Sequence, residues 1–199
     1  MDDCVENALL YARRLEADNL SSHFELMEEL FKTVYSWANN NFYEGYLFSR
    51  TSSASSMAVQ RGLHRYLQAR LRKERVLDGP DGKSLLECAL VPLDTRYVSS
   101  DIVSTLLNFG ANPTEPWNKA RMYLLTAAPH DQRSLRVWAE IIALLLKAGL
   151  SLNQNSVAVL EKFFSVQPQL LDDALKSVPV PSKKKNRGKV FQKKGCQQQ

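Results

Sequence analysis

Apolar side chains return at three- and four-residue intervals along most of the chain, the spacing that gathers them on one face of an α-helix. Val5, Leu9 and Ala12 mark a first amphipathic segment from about Asp2 to Asn19, with Asp2 and Asp3 at its start and Arg13 and Arg14 near its end, as the helix dipole prefers. A second opens with Ser22-His23-Phe24-Glu25, which has the S-x-x-E form of a capping box. It carries Met27, Leu30, Phe31, Val34, Trp37 and Ala38 on a wide apolar face and ends at Asn39-Asn40-Asn41. The polar stretch from Arg50 to Ser56 supplies N-caps for a third helix, predicted to run to Arg75 with Val59, Leu63, Leu67 and Leu71 in one row and Tyr66 beside it. Asp78-Gly79-Pro80-Asp81-Gly82 is turn chemistry and closes that region. Near the C-terminus, Val157, Leu160, Phe163 and Phe164 keep the helical interval, Pro168 interrupts it, and Leu170, Leu171, Ala174 and Leu175 give a short last helix.

Between these flanks runs a longer order. Leu85 and Leu124, Ala89 and Ala128, Leu106 and Leu145, and Gly110 and Gly149 are each 39 positions apart, and a fixed period of this size signals stacked supersecondary units. In each unit a short leucine- and alanine-bearing helix precedes a more apolar one, which ends at a glycine placed for a left-handed C-terminal residue. The pattern predicts an all-α fold: a helical-hairpin solenoid of two repeats flanked by capping helices. Its parts are an N-terminal helical region over 1–77, the repeats over 78–153, capping helices over 154–178 and a basic tail over 179–199 that its composition predicts to be disordered. Two units are fewer than the three such arrays normally need, so the flanking helices must cover the ends.

Asp81-Gly82-Lys83-Ser84-Leu85-Leu86-Glu87-Cys88-Ala89 resembles the opening of an ankyrin repeat, and Ile102-Val103-Ser104-Thr105-Leu106-Leu107-Asn108-Phe109-Gly110-Ala111-Asn112-Pro113 resembles its second helix and exit turn. Ile141, Ile142, Leu145, Leu146 and Gly149 repeat those roles in the second unit. The likeness covers about a third of the chain and is divergent. The family's Thr-Pro-Leu-His is Ser84-Leu85-Leu86-Glu87 in one unit and Tyr123-Leu124-Leu125-Thr126 in the other. The period exceeds the family's usual length of about 33, and the surplus is expected in enlarged inter-helix loops at Val91–Ser100 and Pro129–Leu135. Tyr46-Leu47-Phe48-Ser49-Arg50 and Val59-Gln60-Arg61-Gly62-Leu63-His64 resemble the helical segment preceding the ankyrin-type tail of large fungal NACHT proteins. That resemblance implies a stand-alone or truncated C-terminal portion of such a protein, without its nucleoside triphosphatase part.

Charge changes the picture at one end only. The net charge is +5, but Lys183, Lys184, Lys185, Arg187, Lys189, Lys193 and Lys194 hold seven positive charges with no acid among them, so the remainder stands at −2. The pI of about 9.1 thus belongs to the tail and gives the helical body no basic nucleic-acid groove. Three scattered cysteines, Cys4, Cys88 and Cys196, fit reduced thiols of an intracellular protein, cytoplasmic or nuclear. The acidic Met1-Asp2-Asp3 is unlike a signal peptide, and the strongly apolar run Ile141–Leu146 is far short of a membrane span.

Little in the sequence points to catalysis. Gly82-Lys83-Ser84 has the ending of a phosphate-binding loop, but Leu77 stands where that loop needs its first glycine. His23, His64 and His130 have no paired metal-ligand spacing, and no cofactor or metal is expected. The reading is a non-enzymatic module that binds another protein through its inter-helix loops, with Leu93, Arg96 and Tyr97 in the first and His130, Gln132 and Arg133 in the second as contact residues. The alternative is association with nucleic acid or an anionic surface through the basic tail and the arginine-rich face between Arg61 and Arg75.

Overall fold

A computed structural model of the chain describes residues 7, 10–12, 14, 24–33, 53–79, 82–92, 98–127 and 131–177. Among these residues the protein is mostly helical and contains no strand, in keeping with the all-α expectation. The described residues between 7 and 14 are helical, as are residues 24–33 (α1). There follow α2 (Ala54–Arg61), α3 (His64–Glu74), α4 (Leu85–Leu90), α5 (Ser100–Asn108), α6 (Thr114–Thr126), α7 (Gln132–Lys147), α8 (Gln154–Phe163) and α9 (Pro168–Lys176).

Short polar side chains start most of these helices. The hydroxyls of Ser53, Ser84 and Ser99 and the side-chain oxygens of Asp131 and Asn153 each accept a backbone N–H in the first turn of the helix they precede. Ser53 and Ser56 cap each other reciprocally, in the stretch expected to supply the cap. Pro168 stands at the first position of α9, where its missing N–H costs nothing.

The helix expected to run unbroken to Arg75 is two. Gly62 takes φ 71° and ends α2 with bonds from its own N–H to Val59 O and from Leu63 N–H to Ala58 O, a Schellman turn that reverses the chain into α3. Val59, Leu63, Leu67 and Leu71 are nevertheless all buried. The apolar row survives because the turn inserts the break without changing which side faces the core.

Helices contact one another two apart along the chain. α2 packs on α4, α4 on α6 and α6 on α8; α3 packs on α5, α5 on α7 and α7 on α9. Two rows result, and buried side chains from both belong to one apolar cluster extending from Ala12 to Ala174. Within it Leu85, Leu86 and Leu90 of α4, Ile102, Val103 and Leu106 of α5, and Ile141, Ile142 and Leu145 of α7 are fully covered. α1 lies on α3: Phe24 and Phe31 place their rings 5.4 and 5.0 Å from that of Tyr66.

The 39-residue period is partly geometric and partly not. Leu106 and Leu145 are equivalent, since each accepts the N–H three residues past its helix end, at 3.0 Å, from Ala111 and Leu150. Gly110 and Gly149 adopt φ 97° and 94° and donate to Leu107 O and Leu146 O, again at 3.0 Å in both cases. Leu85 and Leu124 are not equivalent, for Leu85 is the first residue of α4 and Leu124 is near the end of α6. The correspondence instead runs forward from each exit turn: Trp117, Ala120 and Leu124 of α6 match Ser156, Val159 and Phe163 of α8, all buried and all 39 apart. Trp117 Nε1–H donates to Ser156 Oγ at 3.1 Å, joining matched positions on neighbouring first-row helices. The repeated unit is therefore a second-row helix, its exit turn and the next first-row helix.

Candidate functional site

α6 shows how one face of the first row is left open. Its residues Pro116, Trp117, Ala120 and Leu124 are buried, while Glu115, Asn118, Met122 and Leu125 are exposed. At 100° per residue these last four fall within an arc of about 80°, a strip about 15 Å long. Met122 is 59% exposed and Leu125 39%, whereas Leu86, which stands 39 residues before Leu125, is completely covered. Two adjacent large apolar side chains in water on one helix face are the usual marks of a contact surface. On the flank of the strip, the buried Nε of Arg121 has no hydrogen-bond partner among the described residues.

At its N-terminal end the strip opens into a cleft of about 320 Å³. One wall is the turn into α4, with Leu77, Asp78, Gly82, Ser84 and Glu87; the other is the α5 exit turn and the first turn of α6, with Gly110, Ala111, Asn112, Glu115 and Pro116. Local hydrogen bonding holds both walls. Asp78 and Ser84 form an isolated antiparallel bridge, Gly79 N–H donates to Lys83 O at 2.7 Å, and Leu85 N–H donates to Leu77 O at 2.7 Å. The opposite wall is set by the Gly110 turn and by Asn112 Oδ1, which accepts Thr114 N–H at 3.0 Å. Three carboxylates, those of Asp78, Glu87 and Glu115, line the cleft, and none is in an ion pair among the described residues. Lys83 is exposed but is not part of the lining. Ser84 Oγ accepts the Glu87 N–H at 3.1 Å, so the Gly82-Lys83-Ser84 stretch serves to start α4.

The sequence-predicted contact residues fare differently. Leu93, Arg96, Tyr97 and His130 lie outside the described residues, as do the tail residues Lys183, Lys184, Lys185, Arg187, Lys189, Lys193 and Lys194, and His23, Cys4 and Cys196. Gln132 and Arg133 are exposed, but they form the first turn of α7 and do not belong to an enlarged loop. The cause is Asp131, whose Oδ1 accepts Ser134 N–H at 2.6 Å and caps the helix three residues earlier than the apolar pattern begins. That bond to the backbone, seconded by the Ser134 side chain, also holds the Asp131 carboxyl below its ordinary range. The surplus expected between the helices is thus helix in the second unit: α6 and α7 together are longer than α4 and α5.

The arginine-rich face is divided: Arg65, Arg72, Lys73 and Arg75 are exposed, while Arg61 and Arg70 are drawn into the protein. Arg61 is buried, and Arg70 is bound to Glu28 of α1 and, at 3.1 Å, to Glu74. Lys73 stacks over the Phe24 ring at 5.2 Å and faces Glu25 at 3.5 Å. Glu28 Oε1 accepts from both Arg70 and the Tyr66 hydroxyl, the latter at 2.6 Å. Burial raises the Glu28 carboxyl, but the Arg70 and Tyr66 hydrogen bonds and the arginine's charge outweigh it, so it stays below the usual range. Burial, and then the bond to Glu28, push the Tyr66 phenol up. This cluster fastens α1 to α3.

Cys88 is a half-buried cysteine on α4. Among the described residues no group of three or more His, Cys, Asp and Glu side chains could hold a metal ion, and no helix is long and apolar enough to cross a membrane. Compared with protein-family models, with curated proteins and with solved structures, the chain has no match.

Proposed function

We propose that this chain is a non-enzymatic protein-interaction module, a short two-row helical solenoid of divergent ankyrin-like units that receives a protein partner on its first row. The observation that carries the reading is the exposed strip of α6, with Met122 and Leu125 uncovered beside the acid-lined cleft. The alternation of packing partners, α2 to α4 to α6 to α8 and α3 to α5 to α7 to α9, supports the solenoid part of the proposal. The contact surface so defined differs from the loops that sequence spacing favours. Association of the body with nucleic acid has less support, because Arg61 and Arg70 are drawn inward and Lys73 is paired with Glu25, which leaves Arg65, Arg72 and Arg75 as the exposed arginines of that face.

The test is affinity capture from native extract with wild-type protein and with the double variant Met122→Asp/Leu125→Asp, both shown by circular dichroism to be folded. A saturable partner should be held by the wild type and weakened at least about tenfold by the variant, since about 1.4 kcal/mol of lost apolar contact is worth a factor of ten. A parallel Gln132→Ala/Arg133→Ala variant should leave capture intact. Loss that follows this second variant alone would move the contact surface to the start of α7 and refute the assignment to α6.

A further inference from the structure

Resting on that reading, we infer that the α6 strip and its acidic cleft are occupied, in the free protein, by the chain's own C-terminal tail. The first argument is charge. Among the described residues the cleft offers Asp78, Glu87 and Glu115 with no base in its lining, while residues 183–194 carry seven Lys/Arg and no acid. Within that basic stretch stands one apolar pair, Val190-Phe191, just as the acidic cleft continues into one apolar patch, Met122 and Leu125.

Spacing is the second argument. Helical rise places Met122 about 10 Å and Leu125 about 15 Å from Glu115 along α6. An extended peptide advances about 3.3 Å per residue, so with Phe191 on Met122 and Leu125 the side chains of Arg187 and Lys185 would fall about 13–20 Å away, the range that reaches Glu115 and the mouth of the cleft. Phe191 would meet the Met122 thioether, a favourable sulfur–aromatic pair. The tether permits it. Ser177, the last described residue, lies 13 positions before Val190, a reach of up to about 45 Å. Two helix-to-helix steps of about 10 Å separate α9 from α5, beside which the cleft lies. The tail thus acts as a tethered pseudo-ligand that a partner must displace, and its effective concentration at the strip is set by the linker.

Phe191→p-benzoyl-phenylalanine in the full-length chain, irradiated at low protein concentration, reads this directly. The expected product has the mass of one chain, with the crosslink mapped to α6 at Met122 or Leu125. Its yield should fall at least fivefold in a Glu87→Lys/Glu115→Lys background and in about 1 M salt, which screens the pairing. Crosslinks mapped away from α6, a product of twice the chain's mass, or a yield untouched by the charge reversal would each overturn the inference. If the α6 crosslink is absent while Met122→Asp/Leu125→Asp still loses its partner, the tail is refuted as occupant and the proposed function stands. A crosslink on α6 with partner capture unaffected by that double variant does the reverse.

Discussion

Glu28 gathers the Tyr66 hydroxyl and the Arg70 guanidinium on one carboxylate oxygen, joining residues 38 and 42 positions apart. Its lowered pKa fixes the sign of the pH dependence. The stabilisation is fully present above the unfolded-state value near 4.5 and is lost as pH falls through the lower folded-state value. Glu28→Gln should therefore cost about 2 kcal/mol in urea denaturation at pH 7, the scale of hydrogen bonds to a charged group. The gap between variant and wild type should close as the medium is acidified below about pH 4.5. A gap that stays constant down to pH 3 would mean that the charge at Glu28 is irrelevant to its role.

At the scale of elements, the exit turns of α5 and α7 make a matched pair. A Cβ added at Gly110 or Gly149 meets nothing within 4 Å, so substitution costs only the left-handed backbone. Gly110→Ala and Gly149→Ala should each destabilise by about 1 kcal/mol, and by nearly equal amounts, in thermal or denaturant unfolding. Values that differ by more than about that much would show that the two turns are not equivalent. These glycines, with the leucines before them, were legible in the sequence, because a helix end leaves a mark in residue type. The buried faces were legible too: Ile102, Val103, Leu106, Ile141, Ile142 and Leu145 all point inward as their spacing requires. Less legible were the starts. Asp131 and Asn153 cap α7 and α8 through single side-chain bonds, and an isolated Asp or Asn is as common in loops as at caps. The N-terminal half of α6 is hard to see in the spacing, since Pro113 and Pro116 interrupt it, although proline is tolerated in a first turn. With only the end of α6 marked by its leucines, neither the strip from Glu115 to Leu125 nor the cleft formed by two separate turns could be assembled from sequence, since both depend on which helices lie side by side.

For the molecule as a whole, the two-apart packing means that each helix is held mainly by its neighbours in its own row and by the partner beside it. α9 packs against α7 and α8 and closes the end of the second row. Leu171→Ala should raise hydrogen exchange in α9 sharply and in α7 and α8 modestly, leaving protection of α2 to α5 unchanged, as nearest-neighbour coupling requires. Equal loss of protection everywhere would indicate a single cooperative unit.

The exit turn that Gly110 and Gly149 share has one further consequence. Each copy returns the chain to the first row by the same two hydrogen bonds, and Ile102, Val103, Leu106, Trp117, Ala120 and Leu124 are buried as are their counterparts Ile141, Ile142, Leu145, Ser156, Val159 and Phe163. A segment that begins and ends at the same point of such a cycle can be spliced in tandem with these shared buried positions kept in register. Residues 102–140 are one such cassette. The number of helix pairs, and with it the length of exposed face offered to a partner, is thus a quantity the fold leaves open to duplication.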